Sequence, residues 1–323
     1  MNKVVSSLFL SIRPINLIII GLTMFVTRYG IINSLIQPWE FELQTELFHF
    51  ILLVLSTLLV AAGGNVINDY FDTKIDSINH PKSMNIGAGM KPVHAIVAHG
   101  VFSFLGVCLG TYVAYTSGNW VLALFPVGAT YMLWRYSAKT KRTFLSGNIV
   151  VALLAGAVIV ETGLFEIFPL RYFYLPDLYR ILEGNQMGWE PEDFFKILWT
   201  WIGAFAFFAF WYNLIREILK DWQDIKGDKA VNSQTIPLVL GITWTQRIIS
   251  ILLLLGVVFL GGVWFYFLHD DLTLAYFGLM AALSLWVILD ISKSIANLKR
   301  SSIVLKAIMV LGILYALLIH LTL

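Results

Sequence analysis

The sequence predicts an all-α membrane protein, a bundle of about nine transmembrane helices, and three observations carry that prediction. Of 323 residues, 58% are hydrophobic and 13% charged, whereas a soluble domain carries about a quarter charged residues. Mean hydropathy is +0.77. Apolar stretches recur along the whole chain without the period-two alternation of barrel strands. The chain therefore reads as one polytopic domain over residues 1–323.

A helical span needs about 20 mostly apolar residues. Candidate spans are 15–33, 48–68, 93–115, 119–135, 147–164, 196–216, 245–268, 272–290 and 302–322. Arg13 and Pro14 interrupt the short apolar run after Lys3, and no small-residue cleavage site follows, so no cleavable leader is expected. Of the 22 Lys and Arg residues, 17 fall on the face of the N-terminus. The positive-inside tendency places that face in the cytoplasm and, with an odd span count, the C-terminus outside the cell membrane. The segment 165–195 is expected as the longest outer connection, held against the interface by Phe165, Tyr172, Tyr174 and Trp189. Trp39, Trp120, Trp189 and Trp264 fall near span ends, where aromatic belts form. Lys306 falls within the last span.

A net charge of +2 and the lack of a basic run argue against nucleic acid as a partner. The lone Cys108 lies within an apolar stretch and reads as a small packing residue. The six histidines are scattered, and only His80 lies near an acidic cluster.

Two acidic motifs interrupt this apolar background. Where the second span ends, Asp69, Asp72 and Asp76 follow Asn68 at spacing i, i+3, i+7. Where the sixth span ends, Asp221, Asp224 and Asp228 repeat that spacing. On a helix each set projects from one face. Clustered carboxylates repel one another and are costly near a membrane interior, so a cation among them is expected. Mg²⁺ suits hard oxygen ligands and is typically shared between a few carboxylates and substrate phosphates. The spacing is not that of an EF-hand, and no His or Cys accompanies the acids.

At these residues the chain resembles the UbiA superfamily of intramembrane prenyltransferases. The first motif of that family, N-D-x-x-D-x-x-x-D, is matched by Asn68, Asp69, Asp72 and Asp76, and the second by Asp221, Asp224 and Asp228. Arg216, Glu217, Lys220 and Gly227 around the second motif, with Thr235–Pro237 beyond it, are most similar to the geranylgeranylglycerol-phosphate geranylgeranyltransferase branch. Members of that branch form the second ether bond of archaeal-type lipids. Gly64-Asn65, the run Ile78–Pro81, the stretch Tyr136–Thr143 and Gly147-Asn148 fit the same branch. One departure stands out: after Pro81 the family continues R-P-x-P-S-G, whereas here the run is Lys82–Gly89, without that arginine. Lys82 stands in its place as a point charge without bidentate geometry.

The resemblance implies a Mg²⁺-dependent transfer of a polyprenyl group, geranylgeranyl in this branch, from its diphosphate to a membrane-bound acceptor. The expected acceptor is the hydroxyl of a prenylglycerol phosphate, a phospholipid precursor. Expected metal ligands are Asn68, Asp69, Asp72, Asp76, Asp221, Asp224 and Asp228. Expected phosphate-facing or substrate-binding residues are Asn65, Lys82, Tyr136, Lys139, Arg142, Arg216 and Lys220. Homogentisate and chlorophyll-type prenyltransferases share parts of the second motif, so an aromatic acceptor stays open. A membrane carrier that uses the acids as an ion pathway is a further alternative, although the acids cluster at span ends rather than along a span.

Overall fold

The computed structural model describes residues 3–79, 84–87, 89–182, 190–293 and 297–322. Helix α1 (Lys3–Ser11) leads into α2 (Pro14–Val26). Pro14 opens α2 at a position where its missing N–H is no loss. The span continues through a π-helical turn, Thr27–Asn33, to Trp39. Then follow α3 (Leu47–Asn79), α4 (Pro92–Thr116), α5 (Leu124–Ala138), α6 (Ser146–Leu182) and α7 (Pro191–Gln223). A short α8 (Ile225–Ala230) follows α7 directly. Three further helices, α9 (Ile242–Val263), α10 (Asp271–Lys293) and α11 (Leu298–Tyr315), complete the bundle.

Among the described residues eight helices are long and apolar enough to cross a bilayer, so the chain is a multi-pass membrane protein. The fourth expected span, 119–135, is the exception. It is the 15-residue α5 behind a 3-10 turn, Trp120–Ala123. This shorter helix still joins the two faces of the bundle. Leu122, at its start, packs with Phe50 and Val113, and Lys141, just past its end, reaches Asp72. Gly64 on α3 lets α5 approach: a Cβ there would lie 2.7 Å from Leu133. Close backbone approach of this kind replaces hydrophobic drive between membrane helices.

Two expectations are corrected. The outer connection expected over 165–195 is helical as far as Leu182, because α6 runs 37 residues and carries Pro169 and Pro176 within it. At 1.5 Å per residue α6 is about 55 Å long, well beyond a hydrocarbon core of about 30 Å. Trp189 lies outside the described residues. Cys108 is not a packing residue; it sits on an exposed face of α4.

The bundle core divides between a group on α7, α9, α10 and α11 and a second joining α2, α6 and α7. At the face opposite the acidic motifs, Arg28 donates to Glu166 at 2.7 Å and to the Thr45 carbonyl at 2.5 Å. The Arg28 guanidinium also lies 4.5 Å from the Phe50 ring centroid. Arg28 and Glu166 are 3% and 1% exposed, so this is a buried ion pair. Removing one partner of such a pair typically costs about 3–5 kcal/mol.

Candidate active site

The acidic motifs meet because three helix ends converge. The first motif lies on the last turns of α3, one continuous helix, so Asn68, Asp72 and Asp76 share a face as expected. The second does not lie on one helix. α7 ends at Gln223, Asp224 takes a non-helical φ of −97° and ψ of 9°, and Asp228 belongs to α8. This break swings Asp228 back toward α3. Asn79, on the last turn of α3, holds the junction: its amide Nδ2 donates to the Asp224 carbonyl at 3.2 Å, and its Oδ1 accepts from the Gly227 N–H at 2.9 Å. Gly227 is needed at that contact, since a Cβ there would lie 2.5 Å from Asn79 Nδ2 and 2.9 Å from Ile75.

Asp72, Asp76, Asp221, Asp224 and Asp228 line one cavity of about 390 Å³. Tyr136, Arg216 and Lys220 line it too, as expected from sequence. Asn68 donates to Asp72 at 2.8 Å, and Asn148 donates to Asp221 at 2.8 Å. Thr235 donates to Asp228 at 3.4 Å. Burial, and then the neighbouring Asp224 charge, push the Asp228 carboxyl up to about 6.

Other expected residues lie elsewhere. Asp69 is turned away from the cavity, accepting from Arg13 at 2.9 Å and from Asn85 at 3.4 Å, so it orients its neighbours rather than facing the site. Lys139 is exposed and does not line the cavity; Lys141, two residues on, does. The intervening 3-10 turn, Thr140–Arg142, accounts for the exchange. Arg142 is likewise outside the lining, donating to the Phe71 carbonyl at 3.2 Å while its own carbonyl accepts from Gln234. It straps the loop to α3. Asn65 donates to the Ile12 carbonyl at 3.0 Å and lines an adjoining apolar chamber. Lys82 and His80 lie outside the described residues.

Four charged lining residues had no place in the sequence-based site: Arg13, Lys141, Glu217 and Lys306. Arg216 donates to Glu217 at 3.0 Å, and Lys220 lies 3.6 Å from the same carboxylate. One acid thus serves two cations, and the buried Arg216 Nε has no partner among the described residues. Lys306, on α11, forms no ion pair with a described residue. The lining thus combines carboxylates from α3, α7 and α8 with the cations Arg13, Lys141, Arg216, Lys220 and Lys306, several of them already paired with acids.

The donor set fits a hard divalent ion. Lys141 already places its ammonium between Asp72, which it contacts closely, and Asn68 Oδ1 at 3.4 Å. A cation is accepted where the amide and carboxylate oxygens converge. Among the described residues no three carboxylates, imidazoles or thiols gather tightly enough to hold an ion alone. An ion held here would have to complete its shell with water and substrate phosphate, as Mg²⁺ typically does.

An apolar chamber of about 290 Å³ opens from this cavity. Tyr136, Arg216, Glu217, Lys220 and Lys306 line both spaces, so a polar mouth and an apolar interior share one rim. A helical bundle with paired acids at such a rim is the architecture of an enzyme for amphiphilic, phosphate-bearing lipids. The UbiA prenyltransferase family model matches residues 34–310, and the chain belongs to that family. It is an intramembrane prenyltransferase. It is 30% identical over 238 residues to digeranylgeranylglyceryl phosphate synthase of Thermococcus sibiricus, covering 73% of this chain and 69% of that one. In fold it is similar to a solved structure of digeranylgeranylglyceryl phosphate synthase, with a TM-score of 0.66, 20% identity and full coverage of both chains. A UbiA homologue from Archaeoglobus fulgidus, bound to DMAPP and Mg²⁺, shares the fold at TM-score 0.53 and 14% identity, over 93% of this chain and 97% of that one.

Proposed function

We propose that this protein transfers a geranylgeranyl group from its diphosphate to the free hydroxyl of a prenylglycerol phosphate, forming an ether lipid with Mg²⁺ as the resident cation. The observation that carries the reading is a mouth lined by five aspartates and five cations at the rim of an apolar chamber. A diphosphate and a phosphate monoester are two separate anions, and this supply of metal-binding oxygens and cationic groups suits them both.

Asn68, Asp72, Asp224 and Asp228 would hold the cation, with Asp76 and Asp221 completing or orienting the set. When bound, that cation supplies positive charge against the departing diphosphate. Lys141 is placed to contact the same diphosphate oxygens once displaced from Asp72. Arg13, Arg216, Lys220 and Lys306 would receive the phosphate of the acceptor, with Glu217 fixing the orientation of Arg216 and Lys220. Donors set in place before the charge develops stabilise the transition state more than the ground state. The apolar chamber takes the prenyl chain and keeps water from the allylic carbon as its C–O bond breaks. The oxygen of the acceptor hydroxyl then bonds to that carbon. The hydroxyl proton leaves to a carboxylate of the rim or to solvent.

The names of the Thermococcus relative and its homologues support this acceptor over an aromatic one. So does the number of cations in the lining, since a phenol brings no phosphate to them. We place the mouth at the cytoplasmic face of the cell membrane, on the balance of basic residues, and treat residues 1–323 as one catalytic unit. The test is incubation of purified protein with geranylgeranyl diphosphate, Mg²⁺ and either a prenylglycerol phosphate or an aromatic acid, with products identified by mass spectrometry. An ether product with pyrophosphate release is expected. Prenylation of the aromatic acceptor alone, or no pyrophosphate release, would overturn the proposal.

A further inference from the structure

The deepest polar groups in the chamber take no part in the chemistry at its mouth. Glu161 on α6 lines the chamber, is 6% exposed, and accepts a hydrogen bond from Thr57 on α3 at 3.0 Å. It forms no ion pair with a described residue. An ionisable side chain inside a membrane span is costly and marks function by default.

Its depth can be read along both helices. Thr57 precedes Asn68 by 11 residues, about 16 Å at 1.5 Å per residue. Glu161 follows Asn148, the partner of Asp221 at the mouth, by 13 residues, or about 20 Å. An extended polypeptide advances about 3.5 Å over its three backbone bonds, roughly 1.2 Å per bond. At that rate four isoprene units, with four chain bonds each, cover about 19 Å. Phe165 and Phe50 are fully buried, and the Arg28–Glu166 ion pair lies behind them.

We propose that Glu161, held by Thr57, sets the length of prenyl chain that the chamber accepts, and that it does so by polarity. The proposal rests on the prenyl-diphosphate reading above. A donor of four isoprene units ends at the carboxyl group. A fifth unit must press apolar carbon against that group and part it from Thr57, leaving a buried polar group unpaired. Bulk alone does not explain the arrangement, because an apolar side chain would close the same space without the cost of a buried acid.

The experiment compares prenyl diphosphates of three, four and five isoprene units, with a prenylglycerol phosphate acceptor and Mg²⁺. Wild-type protein should prefer four units to five. Glu161→Leu keeps most of the bulk and Thr57→Val removes the hydrogen bond; each should raise kcat/KM for five units relative to four by about tenfold. The gain should come through KM, with kcat for four units retained. Glu161→Gln, which still accepts from Thr57, should behave as wild type. If Glu161→Leu does not accumulate in the membrane, Thr57→Val decides alone. An unchanged preference in the variants, with four-unit transfer intact, would overturn the assignment of Glu161 and leave the enzymatic reading standing. Failure of wild-type protein to transfer any prenyl group would overturn both.

Discussion

Replacing Gly227 by alanine tests whether the two acidic motifs act as one site. The added Cβ would stand 2.5 Å from Asn79 Nδ2, 2.8 Å from Asn79 Cγ and 2.9 Å from Ile75 Cγ2. Ordinary contacts between such atoms are about 3.5–4.0 Å, so relief requires α8 to move from α3 by about 1 Å, or Asn79 to surrender its bonds to Asp224 and Gly227. Either change alters the spacing between Asp72 and Asp228. A misplacement of about 1 Å can cost about a hundredfold in rate, equivalent to about 2.7 kcal/mol of barrier. The assay is single-turnover transfer from geranylgeranyl diphosphate across a Mg²⁺ titration. Gly227→Ala should show about a hundredfold lower kcat/KM and a weakened Mg²⁺ response, with thermal stability in detergent reduced only modestly. Transfer within threefold of wild type, at unchanged Mg²⁺ dependence, would refute the claim that α8 must seat against α3.

Asp72→Ala and Asp228→Ala should abolish transfer while the protein still inserts and remains folded, as followed by product formation and by detergent size exclusion. Because Asp228 must lose its proton to ligate, and burial pushes it up to about 6, protons compete with the cation below that value. Mg²⁺ affinity, measured by titration, should hold above about pH 6 and fall by up to tenfold per unit below it. Lys306→Ala should raise KM for the phosphate-bearing acceptor by at least about tenfold, the scale of one charged hydrogen bond. KM for the prenyl diphosphate should stay near wild type, as read from initial rates with one substrate saturating. Glu166→Ala strands the Arg28 guanidinium and should destabilise the protein by about 3–5 kcal/mol, seen in thermal unfolding in detergent.

Most of the bundle was legible because membrane spans are written in uninterrupted apolar runs, and the acids of the first motif lie in register on one helix. What escaped depended on neighbours distant in sequence. Lys306 stands alone in an apolar run, and nothing local says that α11 turns it toward Arg216 across the bundle. Lys139 and Lys141 are equivalent in composition, and only the 3-10 turn between them decides which one reaches Asp72. The break at Asp224 did leave a signal in Gly227, a residue that weakens a helix interior. The extended α6 was obscured by Pro169, Pro176 and Arg171, which read as a loop. The helix passes both prolines all the same, because packing can re-satisfy the backbone groups a proline frees.

The buried Arg28–Glu166 pair has a consequence for the membrane as an electrical barrier. A bundle with an aqueous mouth on one face and a polar cavity inside it risks becoming a leak. Here the end of the bundle away from the acids holds two buried opposite charges, each neutralised by the other, beside the buried rings of Phe50 and Phe165. An ion entering at the acids would meet that buried pair and those rings, and crossing them bare would cost free energy of the order that keeps charged side chains rare within spans. The same pair that closes the core at this end of the fold therefore stands in the way of a leak. Cations can gather at one end of this bundle at high local charge while the potential across the bilayer stays undrained.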